Sequence, residues 1–283
     1  MVETISQALR QAASRLSGPS LADTRLEAEI LLAHVLDKPR THLFAWPDAR
    51  LDEDSRMRFE RLVERRLRGE PSAYLTGRRE FWSLELKVTA DTLVPRPETE
   101  LLVEQALDLI PVESTLQIVD LGTGCGAISA AIASERPACR VLATDSSAAA
   151  LAVAVENFRR LGLDNISCRN GYWCNALPAG ARFDMIVSNP PYVASDDPHL
   201  SADGLPWEPA NALISGSDGL NDIREIVRTA REHLVPGGWL LLEHGYDQGK
   251  RILHMLRAAG YRDCSTVHDL GGMERVSRAQ LPL

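Results

Sequence analysis

From residue 97 onward the chain alternates between two periods. β-prone runs fall at 116–121, 140–145, 165–170, 183–188, 238–244, 262–268 and 274–281. Apolar residues at helical spacing fall at 97–109, 126–135, 147–161, 218–233 and 246–258. Such alternation predicts an α/β fold, a mainly parallel sheet with helices on both faces. No internal repeat or low-complexity tract interrupts it.

The preceding stretch reads as mainly helical. Ile5, Leu9, Ala12 or Ala13, and Leu16 place a helix over 3–16, and Gly18-Pro19-Ser20 breaks it. Leu26, Ile30, Ala33 and Leu36 or Asp37 mark a second helix over 23–37, ended by Pro39. A third, over 52–68, is opened by Asp52 or Asp54 and buried through Phe59, Leu62, Val63 and Leu67. Its outer face carries Arg56, Arg58, Arg61, Arg65, Arg66 and Arg68, read either as a solvated face or as a docking surface for an acidic or RNA-bearing partner. Residues 80–88 alternate as a short hairpin, and Pro97 with the acidic residues after it suits a helix start. The expected organisation is a helical domain over 1–75, a hairpin and linker over 76–96, and an α/β domain over 97–283.

Charge narrows the partners. Residues 1–90 carry 15 basic and 14 acidic side chains, whereas residues 91–283 carry 16 and 25. An acidic α/β half argues against duplex DNA, whose phosphates need neutralising. It leaves room for a basic protein partner. The five cysteines form no CxxC pair, so reduced thiols and no metal are expected. Met1-Val2-Glu3-Thr4 does not read as a leader, and the longest apolar run, 148–155, is far short of a membrane span. A cytoplasmic protein is expected.

Strand 116–121 runs into Asp120-Leu121-Gly122-Thr123-Gly124-Cys125-Gly126 and then a helix. Glycines let the backbone turn sharply and approach a ligand, and the helix start offers free N–H groups. Gly122, Gly124 and Ala127 satisfy G-x-G-x-x-A, so a dinucleotide remains open at this point. The next strand ends at Asp145, 23 positions past Gly122, where a carboxylate can accept both hydroxyls of a ribose. Asp145 could instead cap the following helix, as could Ser146.

Asp120 and the tetrapeptide Asn189-Pro190-Pro191-Tyr192 separate the cofactors. The tetrapeptide follows the apolar strand 183–188, and two prolines cannot extend a sheet. Asn189 therefore sits at a strand's carboxyl end, where α/β sheets bind ligands. Methyl transfer to an –NH2 group conjugated to a carbonyl or ring needs such a site. Two acceptors, the Asn189 side-chain oxygen and the Pro190 carbonyl, take both N–H groups and turn the lone pair toward the methyl. Tyr192 offers a flat face for the planar acceptor.

These stretches together resemble the class I S-adenosylmethionine-dependent amino-methyltransferases. With Arg79-Glu80-Phe81-Trp82, Pro95-Arg96-Pro97-Glu98-Thr99-Glu100, Ser188 before the tetrapeptide and Leu241-Leu242-Glu243-His244-Gly245, the chain resembles the HemK/PrmC family over essentially its whole length. Members of that family methylate the glutamine of Gly-Gly-Gln in class-1 peptide chain release factors. The resemblance implies a Rossmann-like domain with a seven-stranded, mostly parallel sheet behind a small helical domain, binding S-adenosyl-L-methionine. It implies that Gly122, Thr123, Gly124, Cys125 and Gly126 hold the methionine part and Asp145 the ribose. Trp173 would pack near the adenine, Asn189 would touch cofactor and substrate, and Asn189, Pro190, Pro191 and Tyr192 would form the glutamine pocket. Asn189, Pro190 and Tyr192 are the expected catalytic group. Two positions depart from the family pattern: Tyr172 stands where an acidic residue is usual, and Cys125 where Thr is common. The partners expected are release factors, with no direct DNA and no membrane, for a monomer. A ribosomal-protein glutamine methyltransferase and, further off, a DNA adenine methyltransferase are the alternatives.

Overall fold

The computed structural model describes residues 3–17, 23–202 and 204–283. The break expected at Gly18-Pro19-Ser20, and Met1-Val2, lie outside the described residues. Two compact units divide the chain: Met1–Arg78 with Pro198–Trp207, and Arg79–Asp197 with Glu208–Leu283.

The first unit contains α1 (Ile5–Leu16), α2 (Thr24–Leu36), α3 (Arg40–Ala45), α4 (Glu53–Leu67) and α5 (Ser72–Thr76). Each long helix starts on a side chain that accepts an orphan N–H. Thr4 and Gln7 form a reciprocal capping box on α1, Asp23 takes Leu26 N–H, and Asp52 takes Ser55 N–H. Ile5, Leu9, Leu16, Leu31, Leu32, Phe59 and Val63 lie in one core. The expected face of α2 needs correcting. Its buried residues are Ala28, Glu29, Leu31, Leu32, Ala33 and Val35, because α1, α3, α4 and α5 all pack on it and a single stripe cannot serve four neighbours. In α4, Arg66 is not on the outer face but buried, with its Nε 3.0 Å from Glu27 Oε2. Leu67, expected inside, is exposed. α3 and α5 are too short to give a periodic signal and were not anticipated.

The second unit, from Arg79 on, takes in all but the first residue of a hairpin, β1 (Arg78–Phe81) and β2 (Leu84–Lys87), turned by Trp82 and Ser83 at φ 53° and 57°. Its remaining elements are α6 (Glu100–Leu109), β3 (Gln117–Leu121), α7 (Ala127–Glu135), β4 (Arg140–Asp145), α8 (Ala148–Leu161), β5 (Ile166–Asn170), β6 (Phe183–Ser188), α9 (Asn221–Ala230), β7 (Leu234–Glu243), α10 (Gly249–Ala258), β8 (Arg262–His268) and β9 (Glu274–Gln280). Pro97–Thr99 forms a single tight turn ahead of α6. β7 starts four residues earlier than its apolar run suggested, α9 starts after Leu220, and α10 starts at Gly249 rather than at 246.

The seven strands lie in the order β5-β4-β3-β6-β7-β9-β8. β5 through β7 are parallel, and β9 runs antiparallel to both β7 and β8. The order reverses between β3 and β6. That reversal opens the crevice in which doubly wound sheets hold ligands, at the carboxyl ends of the strands. Leu121 pairs with Ser188 there, so the glycine loop and the Asn189 tetrapeptide leave the sheet side by side.

Candidate active site

The loop after β3 is held by its own backbone. Gly122 and Thr123 N–H both donate to the Thr144 carbonyl, at 2.9 and 2.8 Å, and Gly124 N–H donates to Asp145 Oδ2 at 2.9 Å. Beneath it, Asp120 is fully buried. Its Oδ2 accepts from Thr123 Oγ1 at 2.6 Å and Ser129 Oγ at 2.7 Å, while Oδ1 has no partner among the described residues. Burial pushes its pKa up to about 6, and nearby Asp145 adds to the rise. Gly126, at φ 89°, lets α7 approach α8, because a Cβ there would meet Phe158 at 2.5 Å.

Asp145 accepts Gly124 N–H on one oxygen and Ser147 N–H, at 2.8 Å, on the other. Two of the carboxylate's four acceptor positions are thereby used and two are left. Neither Asp145 nor Ser146 caps α8; Ser147 does, accepting Ala150 N–H at 3.1 Å.

After β5, Tyr172 Oη and Trp173 Nε1 both donate to Asp222 Oδ1, at 2.8 and 2.9 Å. Asp222 Oδ2 takes Ser215 Oγ at 2.6 Å. The hydroxyl of Tyr172 thus binds a carboxylate brought from α9. Trp173 is buried, and its ring lies against Gly122.

After β6, Asn189 Nδ2 donates to Thr99 Oγ1 at 3.1 Å. No described residue donates to Asn189 Oδ1 or to the Pro190 carbonyl. Tyr192 is fixed at both ends: its carbonyl takes Gln248 Nε2 at 2.9 Å, and its hydroxyl donates to Glu243 Oε1 at 3.3 Å. Burial, reinforced by Glu243, pushes the phenol pKa up, so this hydroxyl keeps its proton.

A cavity of about 310 Å³ joins these parts. Gly122, Gly124, Asp145, Trp173, Asn189 and Pro191 line it, as do Asp222 and, from the linker, Asp91–Leu93. Thr123, Cys125, Gly126, Pro190 and Tyr192, expected in the site, are not among the residues that line it. Cys125 is buried, its thiol pushed up to about 12 by burial, and its carbonyl takes Asn157 Nδ2 at 2.8 Å. Glu208 anchors the linker by pairing with Arg96 and accepting Val94 N–H at 3.0 Å.

The lining fits an adenosyl sulfonium cofactor. Gly124, at φ 57°, has open space where a side chain would stand. Asp145 keeps two acceptor positions for paired hydroxyls, and the buried carboxylate of Asp120 favours a cation nearby. Sequence reasoning missed Thr99, Glu243, Asp222 and Glu208 as site residues. Thr99 and Glu243 sat inside stretches valued for their resemblance alone. Asp222 carries no local signal, since an Asp in the first turn of a helix is ordinary helix chemistry, and Glu208 stands in a loop with no pattern to mark it.

Residues 7–77 match the family model described as the PrmC N-terminal domain, and residues 97–203 that of the methyltransferase small domain. The release factor glutamine methyltransferase of Xylella fastidiosa (strain Temecula1) is 50% identical, covering 91% of this chain and 94% of its own. The enzyme of that name from Escherichia coli (strain K12) is 46% identical, with coverages of 95% and 96%. A methyltransferase structure from Pyrococcus furiosus shares the fold, with a TM-score of 0.51 over 71% of this chain and 90% of that one, at 18% identity. Fold and site together define an S-adenosylmethionine-dependent methyltransferase of the α/β class. Within that class the chain belongs to the family of release factor glutamine methyltransferases. No described helix is long and apolar enough to cross a membrane.

Proposed function

We propose that this enzyme methylates the side-chain amide nitrogen of the glutamine in the Gly-Gly-Gln motif of class-1 peptide chain release factors. It acts in the cytoplasm, as a monomer and without binding DNA. The observation that carries the reading is the pair of free acceptors, Asn189 Oδ1 and the Pro190 carbonyl, next to the glycine loop. A primary amide presents two N–H donors, and two fixed acceptors orient it.

In this reading Asn189 and Pro190 hold the amide, and the ring of Tyr192 backs its plane. The prolines bring no competing donor, so the Pro190 carbonyl serves the substrate alone. Bound S-adenosyl-L-methionine supplies an electrophilic methyl group. Gly122 through Gly126 receive its amino-acid part, Asp145 its ribose hydroxyls, and Trp173 the region of its base. The helical unit, over 1–75, docks the protein substrate, and Arg61 of α4 with Arg68 just past its end supply its basic face, Arg56 and Arg58 being paired with Glu53 and Asp54. Arg65 is engaged by Glu70 and contributes less.

The test is incubation of the full chain with methyl-labelled S-adenosylmethionine and three acceptors: a class-1 release factor, a ribosomal protein and DNA. Label is expected on the release factor, at the Gly-Gly-Gln glutamine by peptide mass. Label on either of the others instead overturns the assignment. Charge reversal of Arg61 and Arg68 is expected to raise KM for the release factor while leaving kcat in place.

A further inference from the structure

Exposed apolar side chains scattered singly are ordinary on a protein surface. Tyr246, Leu270 and Met273 are exposed, Leu270 fully, and they are not scattered. Ser188 pairs in parallel with Leu242, and Glu243 lies opposite Val276 of antiparallel β9. His268, ending β8, pairs with Glu274, which starts β9. The turn between those strands, 269–273, therefore stands on the same edge of the sheet as Asn189, and it carries Leu270 and Met273. β9 is two strands from β6, about 10 Å across the sheet. Tyr246 follows β7 on that edge, two residues past His244, whose N–H donates to the Arg275 carbonyl at 2.9 Å.

Both carriers are held in shape. Asp269 closes the turn: its N–H donates to the Met273 carbonyl at 2.8 Å, its Oδ1 accepts Met273 N–H at 2.9 Å, and its Oδ2 accepts Arg275 Nε at 3.0 Å. Buried Gln248 ties the segment carrying Tyr246 to the tetrapeptide. Its Nε2 donates to the Tyr192 carbonyl at 2.9 Å, and its Oε1 accepts Gly245 N–H at 2.9 Å. A surface already formed costs little ordering on binding.

We propose that Tyr246, Leu270 and Met273 form a docking surface for the protein substrate, taking an apolar segment that lies beyond the glutamine at Asn189. Position fixes the occupant. The surface continues the edge that holds the amide site, the family acts on release factors, and a protein substrate brings surface on either side of its glutamine. Tyr and Met suit such a contact, one rigid and one adaptable. Exposed Asp247, next to Tyr246, favours basic residues on the segment. The inference rests on the reading that the substrate presents its glutamine to Asn189.

The test measures kcat and KM of the full chain with a full-length class-1 release factor. Tyr246→Ser combined with Leu270→Ser is expected to raise KM about tenfold or more, the scale of lost anchors in an interface. kcat, cofactor affinity by calorimetry and melting temperature are expected to hold. The conservative pair, Tyr246→Phe with Leu270→Ile, is expected to stay within about threefold of wild type, as surface substitutions do. Val112→Ser, the same kind of change at an exposed residue ahead of β3, is the control and is expected to leave KM in place. An unchanged KM in the double Ser variant, a loss confined to kcat, or an equal rise in Val112→Ser overturns the proposal. Label on the ribosomal protein alone overturns the release-factor assignment instead, and the same KM comparison with that protein then decides for the surface. Label on neither protein overturns both.

Discussion

The ring of Trp173 occupies the place where a side chain at Gly122 would stand. A Cβ built on Gly122 falls 2.9 Å from Trp173 Cζ3, and Gly122 itself sits at φ 75°. Loop and aromatic are thus fitted to each other. Gly122→Ala is expected to meet both obstacles, about 1–2 kcal/mol for the left-handed backbone and a displaced indole. Calorimetry should show cofactor affinity falling at least tenfold. Wild-type affinity in this variant would mean that the loop can re-form away from Trp173.

Asp222 holds the same aromatic from the other side, taking Trp173 Nε1 and Tyr172 Oη on one oxygen. Asp222→Leu removes the acceptor and leaves a buried indole N–H unpaired, at a cost of about 1–3 kcal/mol. The melting temperature is expected to fall and cofactor affinity to weaken, with Trp fluorescence shifted. Asp222→Asn keeps one acceptor oxygen and should recover part of each loss.

Asn189 and Asp145 separate chemistry from binding. Asn189→Ala removes an acceptor used in orienting substrate, and kcat is expected to fall by about 100-fold or more with cofactor affinity largely kept. Asp145→Ala is expected to weaken cofactor binding by about 1.5–3 kcal/mol, the range for hydrogen bonds to a charged group. It also frees the Gly124 and Ser147 N–H groups, so some loop order goes with it. Equal effects of the two variants on kcat and on cofactor affinity would count against this division.

Glu243 gives the enzyme a pH dependence. Burial pushes its carboxyl up to about 7, against the opposing effects of Thr99, Tyr192 and Arg275 and with Glu98 adding to the rise. Above that value the carboxylate accepts the Tyr192 hydroxyl, and below it the acid carries a proton of its own. Glu243→Gln keeps the shape and removes the titration. A folded-state pKa raised above the unfolded one contributes stability that is present in full below the unfolded value and lost as pH rises through about 7. Unfolding measured from pH 5 to pH 8 should therefore show wild type losing more stability than Glu243→Gln. An equal loss of stability in Glu243→Gln would assign the titration to another group.

Local chemistry made much of this protein legible in its sequence. The strands of the sheet are apolar, β-prone runs; the glycine loop needs residues that tolerate positive φ; and two prolines end a strand wherever they occur. These properties belong to short stretches, so the α/β class, the loop at 122–126, Asp145 and Asn189-Pro190-Pro191-Tyr192 could all be named before any fold was known. Tertiary structure decided what those groups are paired with. Asn189 meets Thr99 across 90 residues, Tyr192 meets Glu243 across 51, and Trp173 meets Asp222 across 49. The same holds for Arg66, which periodicity put in solvent and Glu27 draws into the core. A side chain's backbone propensity is set by its neighbours in sequence. Its hydrogen-bond partner, and with it the direction of an amide or the proton on a carboxylate, is set by what folding brings within about 3 Å.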